Sequence, residues 1–183
     1  MTRLVPQQPR TQTISLLSKH GVDVSKRVAL LGVRGYYRDT MGEPGQNDLN
    51  IYDDAIFVVS PDTHKAWPAN TDPSRLSPGM ASLLPGVWKY QLGLHGLSKP
   101  LHQRYLALVQ AAPVTVARHL QRTTDTGWFG INIHRGGRVG TSSLGCQTIP
   151  PELWDAFLSL VRNQLREYKQ EWLHYVLMDG PTR

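Results

Sequence analysis

The hydrophobic period of the chain changes at Pro150-Pro151, and that change sets the fold class. Downstream, Leu153, Trp154, Phe157, Leu158, Val161, Leu165, Tyr168 and Trp172 fall three and four residues apart, on one face of an amphipathic helix. Pro151 suits the first turn of that helix, where a missing N–H costs nothing. Upstream, no such period is sustained. Residues 54–60 (DAIFVVS) form a β-branched and aromatic run, Pro61-Asp62-Thr63 is a turn, and 64–70 return, which predicts a hairpin. Residues 28–37, 87–94, 114–120 and 128–134 are further strand candidates, and 173–178 suit a closing strand. Residues 13–19 predict a short helix ended by Gly21, after a loose tail at 1–12. Stretches 38–50 and 70–85, rich in Gly, Pro, Asp, Asn and Ser, predict loops. The expected fold is mostly β (α+β), with one long C-terminal helix packed on it. An N-terminal extension is expected at 1–53 and a catalytic domain at 54–183, together one compact unit.

Composition narrows the function classes. Apolar residues make up 40% of the 183 and charged residues 19%, so the chain is globular rather than disordered. No run approaches the roughly 18 apolar residues of a membrane helix, so no membrane insertion is expected. The N-terminus lacks the charged-then-apolar pattern of a secretory signal. The expectation is synthesis in the cytoplasm without a cleaved signal, and action elsewhere only after release or delivery. The net charge of +6 favours encounter with anionic polymers, nucleic acid and bacterial cell wall among them. No Lys/Arg block exceeds two residues and no nucleic-acid-binding motif is present, so no nucleic-acid partner is expected. Nothing bears on oligomeric state.

Cys146 is the one cysteine. It forms no intramolecular disulfide and no multi-cysteine zinc site. A lone cysteine is most often a small buried hydrophobe. Three features point elsewhere: the residue is unique, Gly145 precedes it, and Thr141, Ser142 and Ser143 flank it after a Gly/Arg-rich loop. That loop leaves a strand candidate whose last residue is His134, twelve positions before the cysteine. An imidazole held by a strand end serves to take a thiol proton, which makes a nucleophile of the sulfur. Gly145 lets backbone approach a substrate carbonyl, and the amides beside Cys146 suit an oxyanion. Asn132 and Ser143 are candidates to orient His134. Arg118, Arg135 and Arg138 are candidates for a substrate carboxylate, with solvated surface charge the plainer account of Arg138. Ser142 and His95 are expected to line the site. His95, His102 and His119 lack metal-ligand spacing, so neither metal nor cofactor is expected.

The segment 131–150, I-N-I-H-R-G-G-R-V-G-T-S-S-L-G-C-Q-T-I-P, resembles the signature of the L,D-transpeptidase (YkuD-like) catalytic domain. That signature runs from a strand-end His through a Gly-rich loop to Ser-His-Gly-Cys. Ser143, Gly145 and Cys146 stand at its Ser, Gly and Cys, and His134 stands at its general base. Residues 54–70 resemble the family's first hairpin, and 84–90 (LPGVWKY) its strand entry. The resemblance spans 54–150. It departs at Leu144, which replaces the second signature histidine, at Thr148, which replaces an arginine, and in a shorter loop. It implies a β-sandwich and a thioester acyl-enzyme formed on peptidoglycan stem peptides. Cys146, His134, Ser143 and Gly145 would be catalytic, and Arg135, Asn132, Ser142, Arg118 and His95 would bind substrate. Hydrolysis, as in an endolysin-like or toxin-like carboxy- or endopeptidase, is expected over cross-linking. True transpeptidation and a non-catalytic wall-binding or virion protein are the alternatives.

Overall fold

A computed structural model of the chain describes residues 8–180. Eleven strands and two α-helices are present among them. In chain order they are α1 (Arg10–Lys19), β1 (Ala29–Arg34), β2 (Asp54–Val59), β3 (His64–Ala69), β4 (Ser82–Leu83), β5 (Gly86–His95), β6 (Tyr105–Gln110), β7 (Val114–Arg118), β8 (Thr123–Gly127), β9 (Ile133–Arg135), β10 (Gln147–Ile149), α2 (Pro151–Glu167) and β11 (Trp172–Asp179). The architecture is mostly β with a C-terminal helix, as the change of period predicts. The framework is one eight-stranded sheet, ordered β10-β9-β6-β5-β11-β1-β2-β3, and a three-stranded sheet, β4-β7-β8. The large sheet curls until its two edges meet. Asn70, just beyond β3, and Thr148 of β10 exchange two 2.8 Å backbone hydrogen bonds. That bridge pairs edges that otherwise expose unpaired backbone groups.

The two faces of the large sheet bury separate cores. On one face Leu30, Ile56, Val58, Trp67, Tyr90 and Tyr175 pack with Trp154, Phe157, Leu158, Val161 and Leu165 of α2. On the other, Leu31, Val33, Phe57, Val59 and Val176 pack with Leu17 of α1 and with Val22 and Val24. Strands β1 and β2 are therefore buried on both faces, which is why they read as continuous apolar runs rather than alternating ones.

Several elements differ from the sequence expectation. β1 lies between β11 and β2 in the large sheet, so the boundary expected at residue 53 falls between two hydrogen-bonded neighbours. β11 is likewise a central strand, parallel to β1 and antiparallel to β5, rather than a closing edge. Tyr168 caps α2 instead of continuing it, and Trp172 opens β11. The strand expected at 128–134 shrinks to Ile133–Arg135. Gly130 takes φ +69, and the Phe129 and Ile131 amides donate to the Gln110 side-chain Oε1 instead of a strand partner. The polar run of β8 hid that strand from the hydrophobic pattern, and β6, between the turn at 96–100 and Pro113, is a further strand that was not expected.

Gly32 shows how tightly the central strands meet. A Cβ there would lie 2.2 Å from the Tyr175 hydroxyl oxygen and 2.8 Å from Cζ of the same ring. Gly32→Ala is expected to overpack this fully buried site and to cost about 1–3 kcal/mol, measured by urea denaturation. An unchanged midpoint would show that the Tyr175 ring moves freely.

Candidate active site

Strands β9 and β10 run parallel, with Gln147 opposite Ile133 and Thr148 opposite His134. The Gln147 amide donates to Asn132 O at 2.8 Å. Cys146, one residue before β10, therefore sits beside Asn132. Its sulfur lies against the backbone of Gly130 and of Asn132, the latter two residues before His134. Cys146 and His134 line one cleft of about 880 Å³.

The cleft gathers most residues singled out from the sequence: His95, Arg118, Asn132, His134, Arg135, Ser142, Gly145 and Cys146. It also takes in Lys99, Tyr105, Trp128, Phe129 and Leu144. Its lining holds three cations, Lys99, Arg118 and Arg135, and no carboxylate. Arg118 lies over the Phe129 ring and is 3.4 Å from Asp125, and Arg135 lies over the Tyr105 ring. Trp128 and Leu144 stay 64% and 66% exposed, an apolar rim open to a ligand. Ser143 does not line the cleft, and Arg138 is exposed outside it.

His134 is buried at the strand end. Its Nδ1 lies 2.7 Å from Arg135 O, which only accepts, so the proton sits on Nδ1 and the lone pair on Nε2. The Tyr105 hydroxyl is 3.2 Å from the same Nδ1. These groups orient the ring, where Asn132 and Ser143 were expected to. The Asn132 side chain instead donates to His95 Nδ1 at 3.0 Å. Ser143 organises the loop: its hydroxyl donates to Cys146 O at 2.6 Å and accepts from the Gly145 amide at 3.0 Å. Gly145 has its own constraint, since at φ +144 a Cβ would meet Ala81 O at 2.4 Å. The close approach there is to protein backbone. With the Gly145 amide engaged by Ser143, the amide of Cys146 itself is the nearest candidate for an oxyanion.

The Cys146 sulfur has two hydrogen-bond partners. It donates to Gly130 O at 3.3 Å and accepts from the Asn132 amide at 3.4 Å. No hydrogen bond joins it to the His134 ring. Cys146 keeps part of its surface open to the cleft, yet protein packed around the sulfur pushes the thiol up to about 11, against the opposing pull of the Asn132 amide. Burial holds the His134 imidazole down to about 4, reinforced by His95 beside it. The resting pair is a neutral thiol and a neutral imidazole.

Residues 136–145 connect the two parallel strands and are braced from outside. The Tyr52 hydroxyl donates to Gly137 O at 2.8 Å, and Asn50 Oδ1 accepts from the Thr141 amide at 2.9 Å. Ser74 and Ser143 exchange two 2.8 Å bonds. Behind Cys146, buried Gln147 donates to Gly145 O and accepts from the Tyr175 hydroxyl. Asn50, Tyr52, Ser74, Tyr105 and Gln147 went unnoticed in the sequence, because a polar side chain in a loop or strand carries no periodic signal. Among the described residues no group of three or more His, Cys, Asp or Glu is placed to hold a metal ion. His102 lies outside the cleft, and no helix among them is long and apolar enough to cross a membrane. No protein-family model matches the chain, and no curated protein matches its sequence.

Two outcomes follow from this geometry. Ser143→Ala leaves the buried Gly145 amide without its acceptor and is expected to cost about 1–3 kcal/mol in a denaturation experiment. Alkylation of Cys146 by iodoacetamide is expected to keep rising with pH beyond pH 9 (thiolate forms only as the pH nears the raised value). A plateau below pH 8 would contradict the neutral resting thiol.

Proposed function

We propose that the chain is a cysteine-dependent enzyme with the YkuD-like L,D-transpeptidase fold, acting on peptidoglycan stem peptides by hydrolysis. One observation carries the reading: a thiol and a neutral imidazole line the same cleft beside two adjacent parallel strands, with three cations and no carboxylate in its lining. The cations suit the carboxylates of a short peptide. The net charge of +6 suits an anionic wall.

The steps balance with these residues alone. With substrate bound, the Cys146 thiol turns from Gly130 O toward the base. His134 Nε2 takes its proton as sulfur attacks the amide carbonyl. The Asn132 amide stabilises the developing thiolate, and the Cys146 amide the oxyanion. The C–N bond breaks as His134 returns the proton to the departing amine, which leaves a thioester. Water then attacks the thioester, giving a proton to His134. The sulfur departs and takes that proton back. A neutral starting pair calls for proton transfer in step with attack, because separating the charges beforehand is disfavoured in this desolvated site.

A non-catalytic wall-binding protein is the second reading. The absence of a hydrogen bond between the sulfur and His134 at rest favours it. Incubation with purified muropeptides, read by mass spectrometry, separates these readings. Hydrolysis gives two products whose masses sum to the fragment plus one water, transpeptidation gives cross-linked masses, and simple binding leaves the fragments unchanged. Cys146→Ala and His134→Gln are each expected to lower product formation by roughly a thousandfold or more; fragments unchanged by the wild type would refute the enzymatic claim. The pH profile carries a second check. A base held down to about 4 stays unprotonated above that pH. The acid limb of kcat/KM is therefore expected well below pH 6, and a limb near the ordinary histidine value would argue against His134 as the base.

A further inference from the structure

We propose that His95 is a positioning residue that couples the two halves of the pair: its ring covers the base, and its nitrogen anchors the residue whose amide contacts the nucleophile. The proposal takes the His134–Cys146 pair of the previous section as the working groups, but its geometry stands on other contacts. His95 ends β5, opposite Tyr105 of β6. Its ring stacks on that of His134 with centroids 4.0 Å apart and planes 21° from parallel. One face of His134 is thereby closed to water over most of the ring.

The second half of the coupling runs through Asn132. This residue makes three contacts at once. Its side-chain Nδ2 donates to His95 Nδ1 at 3.0 Å, its amide donates to the Cys146 sulfur at 3.4 Å, and its carbonyl accepts from the Gln147 amide at 2.8 Å. Residues 128–132 lie outside the sheet ladder, and Gly130 within them takes φ +69. The His95 bond is thus a side-chain tether on Asn132, added to the one backbone bond its carbonyl receives from Gln147. Removing it frees Asn132 to shift, and with it the donor on sulfur.

The tether also fixes a tautomer. Nδ1 accepts from Asn132, so His95 carries its proton on Nε2 and is neutral while the bond lasts. Protonating Nδ1 would set two donors against each other. Lys99 lies near the same ring, and burial together with that charge lowers the His95 pKa. The other titratable or charged groups around the stack are His134, Tyr105, Arg135 and Cys146. None of them is a carboxylate that would favour a cationic imidazole.

Two variants separate the two jobs. His95→Phe keeps a flat ring over His134 and removes the tether. His95→Asn keeps an acceptor for Asn132 and removes the stack. His134 is followed by NMR titration of its ring, and Cys146 by its alkylation rate at fixed pH, both on the full chain without substrate. In His95→Asn the His134 titration is expected to move up toward the ordinary histidine range by roughly a unit or more, with alkylation near the wild-type rate. In His95→Phe the titration is expected to stay low while alkylation slows by about threefold or more, since the thiolate loses its amide donor. In the wild type, ring nitrogen shifts are expected to show His95 protonated at Nε2 only. This last measurement needs no variant to fold. A His134 titration unchanged in His95→Asn, an alkylation rate unchanged in His95→Phe, or a wild-type His95 protonated at Nδ1 would each overturn the proposal. A chain inactive on muropeptides that still shows these shifts would refute the enzymatic reading and leave the coupling intact. An active chain without them would refute the coupling alone.

Discussion

The parallel pairing of β9 with β10 is the contact on which the rest of the site depends. Three residues on each strand fix the register, and that register places Cys146 beside Asn132, in the cleft that His134 also lines. Parallel neighbours need a crossover between them. Here the crossover is residues 136–145, an irregular loop rather than a helix. A short pair joined by an irregular loop has little rigidity of its own. The fold supplies it by building outward from both strands. β10 joins the far edge of the sheet through Asn70 and Thr148, and β9 pairs with β6 at Ile133 and Leu108. α2 starts immediately after β10 and packs its apolar stripe across one face.

The bracing of the loop explains why residues 38–53 belong to the same unit as the cleft. Asn50 and Tyr52 reach the loop from that segment, while Asp48 and Asp53 hold the segment itself together. The Asp53 and Asp54 carboxyls are buried, and loss of water raises them to about 6 and about 7. Asp54 accepts from the Gly35 and Thr71 amides, which ties the end of β1 to the chain beyond β3. Polar groups of this kind are retained where irregular backbone has to be fixed without a regular ladder.

Desolvation sets the electrostatic character of the cleft. It pushes the thiol and the imidazole in opposite directions, both toward the neutral form. An ion pair at rest would have to overcome that cost with a direct hydrogen bond, and the sulfur is instead bonded to backbone at Gly130 and Asn132. In the proposed reaction, an arriving substrate would have to turn the thiol away from its Gly130 partner. The three cations and the exposed Trp128 and Leu144 line the same cleft and would offer such a substrate polar and apolar contacts.

What the sequence by itself determined follows from patterns that local physics reads directly. The 3.6-residue stripe after Pro151 made α2, the β-branched run at 54–60 made β2 with its returning hairpin, and Cys146 and His134 stood out because their types and flanking glycines are chemically distinctive. The register of β9 on β10 was not legible, nor was the closure at Asn70, because strand partners distant in sequence leave no periodic trace. Roles were harder to read than membership. Ser143 carries the right atoms for orienting an imidazole, but backbone neighbours took its hydroxyl. Asn132 serves the sulfur through its amide, a group every residue but proline possesses and no sequence distinguishes. Tyr105 and His95 reach His134 from β6 and β5. Only tertiary structure could decide that, since the folding of a sheet brings together strands whose order in space differs from their order in the chain.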